Sequence, residues 1–457
     1  MKTDKILLLM VLVLLSGCSK IDDWLDVKQN KNDLVPVKLS DFQALLDYEL
    51  MFRYYPSIGL VGADNYYVTD ANWKSVTLTE QNAYIWKKDI YEGAPSSDWN
   101  YAYQRISYAN IVLDEIQKVA ATSDNQAEWD RVKGQALFFR AFSFYGLLQT
   151  FARPYDPQTA ASDPGIPLLL TSDINVKVSR SKVSEGYGQV LKDLLEAESL
   201  LPLLPAELTR PSGIAAQALL AKVYLTMGNY EKALEYSSKV LQQRKDLYDF
   251  KGLTVSNSRQ FPVVSGRPSE ILLYAESVNY GIITVDWYAL ADPALYNQYA
   301  GGDLRKTIFF RDYGAGKITF KGSYTGNFSP FAGIATNEVY LINAEARVRM
   351  NDIPGGLSVL NDLLGHRFAA GTFEPYSAAD VTSALQLIIN ERRKELPFTG
   401  QLRWEDLRRL NPDPRFAKRL TRRVNGQDYV LEAGDPRYVY PIPENELKYN
   451  PMEQNER

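Results

Sequence analysis

Four windows of the chain place apolar residues at three- and four-residue spacing, the period of a helix with one buried face. Ser40 is positioned to cap a helix running to about Tyr55, where Pro56 ends it. Asp98 can cap a second, with Trp99, Ala102, Ile106, Ala109, Leu113, Ile116 and Ala120 on one stripe. A third runs from about Gln126 to Phe151 and carries Trp129, Val132, Ala136, Phe139, Ser143 and Leu147 along one side. Ser184 opens a fourth, closed by Pro202 and Pro205.

Residues 212–243 read as two helices joined at Gly228-Asn229, with Leu220-Ala221, Tyr224, Tyr230, Ala233-Leu234 and Val240 in the helices. This pattern looks like a tetratricopeptide repeat, in which small residues let two antiparallel helices approach closely. A degenerate second copy places Ala344 and Gly356 at the spacing of Ala221 and Ala233, around the turn Asn351-Asp352-Ile353-Pro354. The helices at 98–121 and 126–151 make a third pair. Between the pairs lie two loop-rich insertions, at about 56–97 and 244–335, the second holding ten of the chain's 28 glycines and short strand-like runs such as Ile271 to Tyr274. The expectation is a mainly α, helical-pair frame, one domain over 39–457, presenting two loop insertions where function tends to sit.

The N-terminus reads as an address. Two lysines within Met1 to Lys5 precede an unbroken apolar run, Ile6 to Leu15, too short to span a bilayer and followed by Leu15-Ser16-Gly17-Cys18. The tetrapeptide resembles a bacterial lipoprotein signal, which implies cleavage after residue 17 and acyl chains on Cys18 that hold the protein on a membrane. Residues 18–38 are then a lipidated tether, and Asp22 and Asp23 within it loosely resemble an acidic signal for export to the outer face.

Charge and composition narrow the chemistry. The chain has 457 residues with net charge −4, and loss of residues 1–17 removes Lys2, Lys5 and Asp4, making it one unit more negative. Nucleic acid is not an expected partner. With Cys18 the only cysteine and His366 the only histidine, no disulfide and no Cys/His zinc cluster can form, and no metal or cofactor is expected. Gly314-Ala315-Gly316-Lys317 fails as a phosphate loop, since Arg311 stands at the first glycine position and Ile318 at that of the magnesium-binding hydroxyl. Glu391 and Glu395 share a helix face, but the interspersed Arg392, Arg393 and Lys394 point to ion pairs. Lys418, Arg419, Arg422 and Arg423 read as a solvated or paired face.

The remaining candidates are aromatic. Tyr (30) and Trp (7) together outnumber Phe (18), and their flat rings with polar tips suit half-wet binding surfaces. A sugar ring needs an aromatic plate for its C–H face and polar side chains at its rim. Asn65, Tyr66, Tyr67 and Trp73 in the first insertion, and Trp287, Tyr288 and Tyr324 in the second, offer that mixture, with Phe328 beside them.

Several blocks in series resemble the SusD/RagB nutrient-binding outer-membrane lipoproteins. They include the lipobox, Lys133 to Phe142, the repeat around Gly228, Glu338 to Ala346, Glu391 to Leu396 with Gly400 to Leu407, Tyr440-Pro441-Ile442-Pro443, Asn450-Pro451 and Gln454-Asn455. The resemblance implies a non-catalytic surface protein of SusD-like fold that binds a polysaccharide or oligosaccharide, or a peptide, and covers a SusC-like TonB-dependent transporter as a lid. A periplasm-facing helical-repeat scaffold and a lipoprotein glycosidase relying on carboxylates alone are the alternatives from other classes.

Overall fold

The computed structural model describes residues 36–255, 259–262 and 269–457. The leader, Cys18 and the tether as far as residue 35 lie outside the described residues.

The fold is mainly α. Helix α1 (Leu39–Leu46) is shorter than its periodicity predicts, ending at Asp47 before a single 3-10 turn, Glu49–Met51. The buried guanidinium of Arg105 takes the carbonyls of Leu50 (3.1 Å) and Arg53 (2.5 Å), so a tertiary partner replaces the next helical turn. Helix α2 (Ser97–Glu115) is capped by Ser96, whose hydroxyl accepts from Trp99 N–H. Asp98, the expected cap, turns inward instead and accepts from the backbone of Ile58 (2.9 Å) and from the Tyr280 hydroxyl, tying both insertions to this helix start.

Helix α3 (Gln126–Phe151) has the bounds that its sequence predicts and is buried on all sides from Gly134 to Phe151. Such all-round burial marks the axis of a domain. Helices α4 (Val183–Leu200), α5 (Gly213–Thr226) and α6 (Tyr230–Gln243) follow, each packed on its predecessor. At the α5–α6 turn Gly228 adopts φ +73°, which a side chain would oppose, and Asn229 caps α6 by accepting from Lys232 N–H. The stack then continues across the second insertion: α7 (Thr336–Arg349) packs directly on α6, and α8 (Ile353–Gly365) and α9 (Val381–Glu395) pack on α7. The insertion is thus looped out of an unbroken series of helices, which α10 (Leu402–Leu410) completes.

The two insertions meet in one four-stranded sheet. Strand β1 (Tyr66–Tyr67) comes from the first, and β2 (Leu290–Ala291), β3 (Phe310–Asp312) and β4 (Ile318–Phe320) from the second, in the order β1-β2-β4-β3 with antiparallel neighbours throughout.

Charged side chains hold this sheet to the helices. Arg305, fully buried, contacts Asp303 (2.7 Å), Glu391 (2.7 Å) and Glu395 (3.1 Å). Arg367 joins Glu395 (2.8 Å) to Glu270 (3.0 Å). Asp64, just before β1, receives Arg403 (2.6 Å), Lys418 (2.6 Å) and Arg393 (3.4 Å). Burial alone would raise the Asp64 carboxyl, but the adjacent Arg403 and Arg393 guanidiniums hold it well below the usual carboxylate range.

Two outcomes follow for stability. A Cβ on Gly356 would meet Val348 Cγ2 at 2.5 Å and the Ala344 carbonyl at 2.8 Å. Gly356→Val should therefore cost about 1–3 kcal/mol by wedging α7 from α8, whereas Gly365→Ala, with nothing near its Cβ, should stay within about 0.5 kcal/mol. Equal urea midpoints for the two variants would refute the close approach. For Asp64 the folded pKa lies below the unfolded one, so its stabilisation is complete above about pH 4 and fades as the pH falls below that. Asp64→Asn should lose about 3 kcal/mol or more at pH 7 and flatten the acid limb of the stability curve between pH 2 and 4. An acid limb unchanged from the parent would refute the assignment.

Candidate functional site

The sheet has an inner and an outer row, because side chains alternate along a strand while directly paired residues share a face. Tyr66, Phe310 and Phe320 lie on the inner face, where Phe320 stacks on Phe398 with ring centroids 4.6 Å apart and Tyr66 packs on Tyr84 and Phe398. The outer row crosses all four strands in register: Tyr67 opposite Leu290, Leu290 opposite Thr319, Thr319 opposite Arg311. Tyr313, two residues beyond Arg311, extends this row into solvent.

A hairpin shapes the exposed end. Gly314, Ala315 and Gly316 all take positive φ, and Tyr313 N–H donates to the Lys317 carbonyl at 3.0 Å. The glycines that resemble a phosphate loop therefore reverse the chain between β3 and β4, and no helix N-terminus follows them. Against Tyr313 lies Trp287, with ring centroids 3.6 Å apart and planes inclined by 40°. Trp287 is 49% exposed and sits at φ +76°, a backbone conformation that a bulky residue keeps only when its surroundings impose it. Asn72 supplies part of that constraint, its Nδ2 donating to the Trp287 carbonyl at 3.0 Å across the two insertions. Beside the pair opens a shallow cleft lined by Trp287, Thr319, Lys321, Asn327, Phe328 and Phe398, with Phe328 57% exposed.

The predicted residues divide sharply. Trp287 and Tyr67 are on the exposed side, and Tyr288 is half-buried next to Trp287. Tyr66 is buried, its hydroxyl donating to the Val61 carbonyl at 2.9 Å, so it is a core residue and offers no plate to a ligand. Asn65 is likewise buried, with Oδ1 accepting from Arg393 Nε at 3.1 Å. Tyr324 is buried too; its hydroxyl accepts from Asn337 (3.1 Å), which also donates to Glu395 (3.0 Å), so it belongs to the ion cluster beneath the site. Trp73 is half-buried against the core, its indole N–H donating to the Gln81 carbonyl at 3.0 Å, and no described contact joins it to Trp287. Cys18 lies outside the described residues.

Tyr313, Arg311 and Lys321 are the residues that the aromatic-loop reading passed over. Their signal was a hairpin pattern, two short alternating runs around a Gly-x-Gly turn. The other sequence candidates are occupied structurally. Glu391 and Glu395 are buried and paired with Arg305, where no glycosidic bond can reach them. Lys418 pairs with Asp64, Arg419 with Glu432 and Arg423 with Asp428, while Arg422 is buried beneath Tyr84 and donates to backbone carbonyls. Among the described residues no helix is long and apolar enough to cross a membrane.

Comparison with known proteins places this architecture. Residues 23–225 match a SusD-like family model described as starch-binding and associating with the outer membrane, and residues 330–456 match the SusD family model. A SusD-like protein, P2, of Formosa agariphila is 26% identical over 419 residues, covering 76% of this chain and 79% of the relative. A SusD superfamily structure from Bacteroides thetaiotaomicron superposes with a TM-score of 0.73 at 25% identity, covering 92% of this chain and all of the other. A laminarin-binding SusD-like protein shares the fold, with a TM-score of 0.64 at 19% identity over 91% of this chain and 98% of its own. The two family matches span most of the chain in the order its motifs predict, and the protein belongs to the SusD/RagB family.

Proposed function

We propose that this protein is an outer-membrane lipoprotein, anchored through Cys18 and facing the exterior, that captures a glycan and passes it to a SusC-like TonB-dependent transporter over which it closes as a lid. Family membership supports the outer-membrane association and the class of binding protein. The observation that carries the ligand assignment is the Trp287–Tyr313 pair, two large rings held in solvent at the junction of both insertions. Leaving such rings exposed forgoes their burial energy, and a flat apolar ligand face recovers it. Phe328 provides a third plate across the cleft, and Thr319, Asn327 and Asn72 provide the polar rim. The laminarin-binding relative shows that a protein of this fold takes a polysaccharide. Binding without bond cleavage fits the same face, because the paired carboxylates of α9 are sealed beneath it.

The test is affinity electrophoresis and calorimetry of the lipid-free domain across a panel of neutral and charged polysaccharides. For any polymer that binds, Trp287→Ala with Tyr313→Ala should weaken binding about thirtyfold to several hundredfold, since central aromatic anchors each contribute on the order of 1–2 kcal/mol. Trp73→Ala should leave affinity within about twofold. Undiminished binding by the Trp287/Tyr313 double variant would displace the site from this face.

A further inference from the structure

The outer face of the sheet concentrates cations. Arg311 projects from β3 in the row that holds Tyr67 and Thr319, and its guanidinium lies 5.3 Å from the Tyr313 ring centroid while Nη1 donates to the Tyr313 hydroxyl at 2.6 Å. Lys321, immediately after β4, lines the adjoining cleft and is almost fully buried. Burial first, and then the nearby positive charge of Arg311, pushes the Lys321 ammonium below its ordinary pKa. Arg259 lines the same cleft, in a loose contact of 3.9 Å with the exposed Asp286. Lys317 stands at the hairpin tip.

What separates Arg311 from most buried arginines is its company; Arg105, Arg408 and Arg422 also lack a carboxylate but give their guanidiniums to backbone carbonyls. Arg305, Arg367, Arg392, Arg403 and Arg409 each engage a carboxylate at 3.1 Å or less. Among the described residues Arg311 has no carboxylate partner, and its Nε is buried with no hydrogen-bond partner. Asp312, the next residue, falls on the opposite side of the strand and accepts from Gly314 N–H at 2.7 Å. A guanidinium kept beside an ammonium, against aromatic rings and short of an anion, is placed to accept one from a ligand.

We propose that the glycan held on this face is anionic, with its sulfate ester or uronate carboxylate received by Arg311 and Lys321 while its sugar ring stacks on Trp287 and Tyr313. This rests on the glycan-binding reading above and adds a charge requirement to it. The guanidinium edge meets two oxygens of a sulfate or carboxylate, and the phenol already hydrogen-bonded to it keeps that edge oriented. In a chain of net charge −4, a local positive face also draws a polyanion toward itself.

The experiment compares matched polymers that differ only in charge: κ-carrageenan with its desulfated form, and polygalacturonate with its methyl ester, at 20 and 300 mM NaCl. The expected result is at least tenfold tighter binding of the charged member of one pair, shrinking at high salt; which pair shows it identifies sulfate or carboxylate as the anion. Arg311→Gln with Lys321→Gln should abolish the preference, Arg311→Lys should retain part of it, and Trp287→Ala should weaken both members alike. Melting curves of each variant confirm that it folds. Equal binding of charged and uncharged members, or a preference untouched by the Arg311/Lys321 double variant, overturns this proposal and leaves the glycan reading intact. Failure to bind any polymer of the wider panel overturns both.

Discussion

The five residues Glu391 to Glu395 near the end of α9 reach α7, α10 and both insertions, and they do so largely through charge. Glu391 reaches Arg305, Arg392 reaches Glu338 of α7 and Asp406 of α10, Arg393 reaches Asp64 and Asn65, Lys394 reaches Asp303, and Glu395 reaches Arg305 and Arg367. One turn and a half of helix thus joins the stack to both insertions. Burying so many ions costs several kcal/mol each before pairing recovers it, so their net contribution to stability is modest. Their contribution to specificity is larger, because any other arrangement of the insertions would strand a buried charge.

That cost is tolerable because the helical frame is already bound by apolar packing. Helix α3 is buried from Gly134 to Phe151, and the helices from α2 to α9 pack in series from it through apolar contacts. The insertions carry short strands, two to three residues long, that would not persist alone. They persist because Asp64 is clamped at one edge and Arg305 at the other. A rigid floor of Tyr66, Phe320 and Phe398 then supports an outer face that the frame itself never uses.

On that outer face the usual preferences are reversed. Trp287 keeps a left-handed backbone and an exposed ring, and Arg311 lies beside Lys321. Each of these costs free energy in the unliganded protein, and they lie within one sheet and its adjoining cleft. Backbone strain and like charge gathered at one place are the physical marks of a surface kept ready for a ligand.

Periodicity by itself determined both ends of α3 and the Gly228 and Pro354 turns, because local spacing and caps decide them, but it overran α1, whose last turns a tertiary contact replaces. It also indicated that Glu391 and Glu395 would be ion-paired, since cations stood between them. It could not separate Tyr66 from Tyr67. Adjacent tyrosines in a loop-rich stretch look alike until a partner strand assigns one to each face, and β2, more than two hundred residues away, makes that assignment. The same long-range pairing brought Tyr313 to Trp287 and sent Tyr324 inward to Asn337. Local sequence decides which segments are helical, whereas exposure at a sheet is set by register with distant strands, and here that register depends on buried charges brought together only by the folded chain.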